Sequence, residues 1–285
     1  MLKTQQSIVH YYEDGDILIT VQQTVFRLHR NFLAMASKVF EDMFSFATKS
    51  DINNENVSCL TLTDTSATAF ENLLTFLYPR KYIRISWENV ASFLEIGDKY
   101  EIVVVIGASE EFLQFHYMEN PLIAFALADQ YDFKFVYKES SKLVLNNLPR
   151  FKTSPDFHKL SYKASSSLLS KHLDYILAIG NLLELNIQEY RHICSYSVTH
   201  GEFIKKVFSD RIKSVKGFPV VSPTKLYEIF FKFEEEDERY DDCQKSFLKT
   251  YLPGIFSFYF GDFEPLNSDK NKHNVEHYLY LESMN

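Results

Sequence analysis

The sequence has few cysteines, no glycine-rich motif and no long apolar run. Its three cysteines, Cys59, Cys194 and Cys243, lie far apart and form no CxxC pair. A disulfide framework is therefore not expected, and the cysteine usage fits a reducing compartment. The eight glycines occur singly, so no GxGxxG or GxxxxGKS/T loop is present to cradle a phosphate. GxSxG and HExxH are also absent, and we expect neither an enzyme nor a cofactor.

Basic clusters and targeting signals are missing as well. The net charge is −8 and the calculated pI is about 5.6, with no dense group of Lys and Arg. Nucleic acid is therefore not expected as a partner, because phosphate contacts need clustered positive charge. The first residues contain no apolar signal segment, and no run of about 18 apolar residues could span a membrane. These features predict a cytoplasmic or nuclear protein.

Two histidine groups could in principle bind a metal ion. His192, Cys194 and His200 offer borderline ligands but lack an evident fourth one, and His273 and His277 share a helical spacing in a polar segment. Both groups are interpreted as ordinary structural or solvated residues, so no metal is predicted.

Aromatic side chains, by contrast, are plentiful. They make up 16% of the chain, and 46% of residues are hydrophobic, which is enough to build sizeable cores. Two short apolar runs, Ile17–Val21 and Thr24–Leu28, are separated by two glutamines and predict a β-hairpin. Two short helices should follow, the first capped by Asn31 and the second by Ser37.

This N-terminal stretch resembles the BTB/POZ domain. The residues that carry the resemblance are Asp16, Val21, Phe26, His29, Arg30, Leu33, Ala34, Ser37, Phe40, Met43 and Phe44. The resemblance implies an α+β protein, in which a small mixed sheet capped by helices is followed by a mostly α-helical region. It also implies structural roles for Phe26, His29, Leu33, Ser37, Phe40, Met43 and Phe44.

The rest of the N-terminal region follows the order expected for that fold. The first 15 residues could supply a brief helix, and the polar stretch Thr48–Asn56 is predicted to be a loop before a third strand, Val57–Thr63. Ser66 should cap a helix with an apolar stripe that contains Phe70, and Ser86 should cap another that ends near Tyr100.

An internal repeat follows. Residues 94–102 and 125–133 match at an offset of 31 residues, and each copy is followed by a second helical stretch, at 103–115 and 134–146. Each copy predicts an antiparallel helix pair, and the two pairs should stack. Convergence on a common helix–turn–helix pattern is the alternative. The layout resembles the BACK-like helices that follow many BTB domains.

These observations divide the chain into four parts. They are a BTB/POZ domain (1–115), a BACK-like helical extension (116–187), a mostly helical region of unknown type (188–265) and a polar tail (266–285). In the third part, the acidic run 234–242 is interpreted as a solvated surface, or alternatively as a docking site for a basic partner. The aromatic stretch 256–260 is interpreted as core.

The resemblance also suggests an interface at Asp16 and Arg30. In zinc-finger-type BTB proteins the matching acidic and basic residues form a charged pocket at the dimer interface. Here the alternative is a local pair that anchors the hairpin to the first helix. The two interpretations are left open.

Two functions follow from the resemblance. The first is a substrate adaptor for a cullin-3 ubiquitin ligase, which would contact the cullin through Phe70, Glu71 and Asn72. The family pattern there is apolar–any–acidic, and this chain departs from it, because position 72 is Asn and the acid is Glu71. The second is a dimerising scaffold or transcriptional co-factor without ubiquitin transfer. Both functions predict self-association through the BTB domain and an unknown protein partner for the C-terminal half.

Overall fold

The structure is a computed structural model, and the chain divides into two compact units, Met1–His116 (unit 1) and Tyr117–Asn285 (unit 2). The residues that it describes are 4–46, 48–52, 55–78, 82–184, 197–216, 221–231, 245–267 and 275–282. His192, Cys194, His273 and the acidic run 234–242 lie outside these residues, so the predictions made for them stay open.

Unit 1 is built on a five-stranded mixed sheet with the strand order β1-β3-β2-β5-β4. The strands are β1 (Gln5–Tyr11), β2 (Ile17–Val21), β3 (Thr24–Leu28), β4 (Thr48–Ile52) and β5 (Glu55–Leu62). Strands β2 and β3 form the predicted hairpin, in which Val21 lies opposite Thr24 and the turn residue Gln22 has a φ of 54°. Strand β5 pairs in parallel with β2. The sheet and its covering helices confirm the α+β class.

Both edge strands differ from the sequence-based predictions. The leader was expected to form a brief helix, but it forms β1, which runs parallel to β3 with Gln5 opposite Thr24. The expected loop Thr48–Asn56 contains β4, which pairs antiparallel with β5. Both predictions were wrong for the same reason. A polar segment can form an edge strand when a neighbouring strand offers its backbone N–H and C=O groups, and local composition does not reveal that neighbour.

Among its described residues, unit 1 has five helices. They are α1 (Arg30–Ala36), α2 (Lys38–Ser45), α3 (Ala67–Leu77), α4 (Val90–Lys99) and α5 (Val103–His116). Helix α3 packs on β1. The predicted caps of α2 and α3 are confirmed, since Ser37 Oγ accepts from the N–H of Phe40 at 3.0 Å and Ser66 Oγ accepts from Ala69 at 3.1 Å. The Ser86 prediction was wrong, because Asn89 precedes α4 and its side chain accepts from the N–H of Ser86.

Aromatic rings fill the core of unit 1. Phe26 and Phe70 meet edge to face at 5.2 Å between ring centroids, and Phe40 stacks on Tyr100 at 4.5 Å. Phe40 also contacts Phe70, so the ring of Phe70 joins the sheet to α2. All four side chains are buried.

The repeat predicted from the sequence folds as two helix pairs with the same turn. In unit 1, α4 and α5 are joined through Glu101, which has a φ of 50°. In unit 2, α6 (Pro121–Tyr131) and α7 (Lys134–Asn146) are joined through Asp132, with a φ of 57°. Such left-handed residues are uncommon outside glycine, and these two are 31 positions apart, which is the sequence offset. The two pairs lie in different units, so their stacking remains a prediction.

Unit 2 is mainly helical. After α6 and α7 it contains α8 (Leu148–Phe151), a 3₁₀ turn (Pro155–Lys159), α9 (Tyr162–Glu184), α10 (Ser197–Lys216), α11 (Pro223–Phe231), a π-helical turn (Phe247–Tyr251), α12 (Leu252–Phe260), β6 (Glu264–Pro265) and β7 (His277–Tyr278). Helices α10 and α11 lie in the region that the sequence predicts to be mostly helical. Within α12, Phe256 and Phe260 are buried, as expected for core residues, whereas Phe258 is 83% exposed.

The C-terminal segment, residues 275–282, packs on α7, within the part of the chain that the sequence predicts to be a polar tail with a short segment at Val275–Leu281. Tyr278 and Leu279 are buried, and β7 pairs antiparallel with β6. The backbone N–H of Leu281 donates to Ser141 Oγ at 2.9 Å. A few apolar residues and backbone hydrogen bonds are enough to hold this short segment on the helix.

A buried ion pair on α7 holds β6, the strand that pairs with β7 of this segment. Lys142 is fully buried, and its Nζ lies 2.6 Å from Glu139 Oε1 and donates to the carbonyl of Pro265 at 2.8 Å. The other carboxylate oxygen of Glu139 accepts from the N–H of Asn267 at 2.8 Å. Charges are rarely buried unless they are paired and hydrogen-bonded, and this pair meets both conditions.

Within the described part of the chain, no helix combines the length and apolar character of a membrane span. The same residues bring together no group of three His, Cys, Asp or Glu side chains suited to a metal ion.

Candidate protein-interaction site

Asp16 and Arg30 lie together at the junction of the hairpin and α1. Asp16 Oδ1 accepts from the backbone N–H of Arg30 at 2.7 Å, and the N–H of Asp16 donates to the carbonyl of Leu28 at 2.9 Å. Gly15 permits this approach, because a Cβ at that position would lie 2.7 Å from the same carbonyl oxygen. Asp16 therefore caps the N-terminus of α1, which is the role that the sequence predicts for Asn31. The Asn31 prediction was wrong.

The guanidinium of Arg30 points to a different set of atoms. It donates to Ser58 Oγ at 3.1 Å and to the carbonyl of Phe44 at 2.9 Å, and it lies over the Phe44 ring at 5.6 Å. The negative charge of Asp16 thus lies at a helix N-terminus and the positive charge of Arg30 at the C-terminal end of α2, which both helix dipoles favour. The two residues anchor the hairpin to α1 through the Arg30 backbone and not through a side-chain ion pair. A charged pocket at a dimer interface stays a proposal.

We expect Asp16→Ala to lower the free energy of unfolding by about 0.5–2 kcal/mol, the usual cost of losing a helix-capping carboxylate. Urea denaturation followed by circular dichroism measures this. Glu13→Ala is the matched control, since it removes the same charge from an exposed residue nearby and should change stability by less than about 0.5 kcal/mol. Equal stability of the two variants would contradict the anchoring role.

His29 belongs to an aromatic cluster. Its backbone N–H donates to the Tyr78 hydroxyl at 3.1 Å, and its Nε2 lies 3.3 Å from Asp14. Tyr12 stacks on Tyr78 at 4.9 Å between centroids. Burial raises the pKa of Tyr78 to about 12, so its hydroxyl stays protonated near neutral pH. These contacts are those of a structural histidine.

The remaining motif residues are placed mainly in the interior. Phe26, Leu33, Ser37, Phe40 and Phe44 are buried, whereas His29 and Met43 are half-buried.

Phe70 is not available as a surface contact. Its side chain is fully buried among the core rings, so its predicted role in touching a cullin needs correction. The sequence misled here because an apolar residue on an amphipathic helix has the same pattern whether it faces a core or a partner.

Glu71 and Asn72, the next two residues of α3, differ in their contacts and exposure. Glu71 Oε1 accepts from Ser7 Oγ at 3.1 Å, and the buried His10 of the same strand contacts Thr75 Oγ1 at 2.9 Å. Strand β1 therefore covers this side of α3, and Ser7 and His10 were missed because the sequence did not predict that strand. Asn72 is half-exposed, and Thr68, one turn earlier, is exposed. These two residues mark the open face of α3.

The BTB/POZ domain family model matches residues 10–117. Among curated proteins, Kelch-like protein 25 of Xenopus laevis is 31% identical over 156 residues, which are 54% of this chain and 26% of that protein. Human Kelch-like protein 13 is 25% identical over 202 residues, which are 70% of this chain and 29% of that protein. The match therefore spans less than a third of the length of these relatives.

Among solved structures, the BTB domain of zebrafish PATZ1 is 22% identical. The superposition covers 34% of this chain and 74% of that one, with a TM-score of 0.28.

Proposed function

We propose, from the BTB/POZ domain that residues 10–117 of this chain form, that the protein is a substrate adaptor for a cullin-3 ubiquitin ligase. A role in protein interaction follows from the domain itself. The observation that carries the adaptor proposal is the match to human Kelch-like protein 13, whose 202 aligned residues exceed the domain. The resemblance therefore includes helices of unit 2, which in an adaptor would recruit the substrate.

The cullin would bind the open face of α3. Phe70 is buried and Glu71 is bonded to Ser7, whereas Thr68 is exposed and Asn72, one turn later, is half-exposed, so a partner can reach both of them. Neither side chain carries a charge. A charge-assisted hydrogen bond contributes about 1.5–3 kcal/mol, so we expect binding to be roughly 10 to 150 times weaker than with an acid at position 72.

Asn72→Glu should therefore tighten binding to the N-terminal repeats of cullin-3 by about tenfold or more. Asn72→Arg should weaken binding by a similar factor. Pull-down with purified cullin-3 repeats, quantified over a concentration series, measures both effects. Gln130→Glu is the matched control, since it adds one acid at an exposed helical position of unit 2 and should leave binding unchanged. Equal binding by all three variants would reject the α3 contact.

A scaffold without ubiquitin transfer is the second candidate. This function is favoured because two of the three residues expected to contact the cullin are used within unit 1. Phe70 is buried, and Glu71 accepts a hydrogen bond from Ser7. In this case the BTB/POZ domain would self-associate and unit 2 would recruit one partner. Light scattering together with the pull-down separates the two functions. A dimer that does not bind cullin-3 at micromolar concentration would favour the scaffold, and a monomer would count against it.

A further inference from the structure

Helix α9 has an inner apolar face that attaches it to the rest of unit 2. The buried residues of this face are Ala164, Leu168, Tyr175, Ala178 and Leu182. The Tyr175 hydroxyl donates to the carbonyl of Val221 at 2.7 Å, and its ring contacts that of Phe260. This inner face packs α9 into the core of unit 2.

A second apolar stripe lies on the outer face of α9. Tyr162, Leu169, Leu173 and Ile176 are 89, 38, 57 and 40% exposed. These four residues belong to a longer row of positions that are spaced alternately four and three residues apart. We call this row the seam, and its members are Tyr162, Ser166, Leu169, Leu173, Ile176, Gly180 and Leu183. This spacing is the 3.5-residue period of a coiled-coil seam, which is narrower than the stripe that a helix needs to pack on a globular core.

The sizes of the seam residues are matched for an antiparallel copy of the same helix. If the twofold axis passes between positions 174 and 175, Leu173 lies opposite Ile176 of the second copy. Leu169 then lies opposite the second copy's Gly180, and Ser166 opposite its Leu183. Between Ser166 and Leu183, each large side chain of the seam thus faces a small one or an aliphatic one of similar size, as close packing requires. A parallel pair would instead place Gly180 against Gly180 and leave a void.

The flanks of the seam are free of permanent charge between Leu169 and Gly180, and the charged flanking residues, Lys163 and Glu184, have opposite signs and lie at opposite ends of the helix. The positions that border this central part are Ser170, His172, Leu177 and Ile179. Two copies could therefore approach without like-charge repulsion. A contact along most of this 23-residue helix would bury on the order of 1,000 Å², which is the range of weak, transient interfaces.

We propose that two copies of this chain associate through an antiparallel pair of α9 helices, with the seam from Ser166 to Leu183 as the interface. This contact is independent of the BTB/POZ domain and of cullin-3 binding. It gives the protein a second means of self-association, in unit 2.

Gly180→Leu is the most informative variant. Its Cβ would meet no atom within 4 Å in its own chain, so the fold should be kept, but the new side chain would collide with Leu169 of the second copy. Sedimentation velocity of the full chain should show a dimer dissociation constant raised about tenfold or more. Adding Leu169→Ala to Gly180→Leu should restore association. Gly107→Leu, at another exposed helical glycine with open space around it, is the matched control and should have no effect.

Cysteine cross-linking tests the register. In a background with Cys59, Cys194 and Cys243 replaced by serine, Leu169→Cys and Gly180→Cys chains should cross-link when mixed. Neither should cross-link with itself, because the antiparallel register separates like positions by about 16 Å, beyond the reach of a disulfide. Self-linking of Leu169→Cys would indicate a parallel pair and overturn the proposal. So would a monomeric wild-type chain at about 200 μM, or a dimer that Gly180→Leu leaves unchanged. Cullin-3 binding should be the same in all these variants.

Discussion

Lys142→Ala is expected to lower the free energy of unfolding of unit 2 by about 3–5 kcal/mol, the usual cost of removing one partner from a buried ion pair. The change would leave the carboxylate of Glu139 buried at 4% exposure without its counter-charge. It would also remove the donor to the carbonyl of Pro265, which holds β6 against α7. The C-terminal segment should therefore loosen together with the loss of stability.

Chemical denaturation of the full chain, with hydrogen exchange read out in residues 275–282, measures both effects. Lys138→Ala is the matched control on the same helix. Its ion pairs with Glu264 and Glu282 are partly exposed, so its loss should cost at most about 1 kcal/mol. Lys142→Met combined with Glu139→Gln removes both charges and should recover most of the stability. If Lys142→Ala is no more harmful than Lys138→Ala, the buried pair does not hold the segment.

Phe70→Ala is expected to destabilise unit 1 by about 3–5 kcal/mol, because it opens a cavity at a fully buried site. The ring contacts Phe26 from the hairpin and Phe40 from α2, so its loss loosens the joint between sheet and helices. Phe70→Asp would bury an unpaired carboxylate at the same place and should unfold the unit. It is therefore unsuitable as a test of cullin contact.

Thermal and urea denaturation monitored by near-ultraviolet circular dichroism measure the Phe70→Ala effect. Phe46→Ala is the matched control, since it makes the same chemical change at a ring that is 85% exposed, and it should shift stability by about 0.5 kcal/mol or less. Comparable losses in the two variants would mean that the Phe70 ring does not join the sheet to α2.

Features with local signals were predicted well from the sequence. The hairpin follows from two apolar runs with a two-residue gap, and the caps at Ser37 and Ser66 follow from a hydroxyl placed just before an amphipathic run. The repeat was visible because residues 94–102 and 125–133 match in sequence, and in the structure Glu101 and Asp132 form the same turn in the two copies. Each of these signals lies within a few residues of the structure that it predicts.

Features that depend on distant partners were missed. Strand β1 exists because β3 presents an open edge to it, and β4 because β5 does. Strand β6 is held by Lys142 and the C-terminal segment by Ser141, and each partner lies more than 120 positions earlier in the chain. The sequence placed Asp16 close to Arg30, but it did not show that the hydrogen bond between them is donated by the Arg30 backbone N–H. Burial of Phe70 was likewise hidden, because amphipathic spacing does not say what covers the apolar face.

Binding of the full chain to the N-terminal repeats of cullin-3 is the measurement that tests the proposed function most directly. Isothermal titration calorimetry should give a saturable isotherm with one cullin site per chain, a dissociation constant in the micromolar range, and tighter binding for Asn72→Glu. The absence of saturable heat up to about 100 μM, from a chain shown to be folded, would contradict the adaptor function.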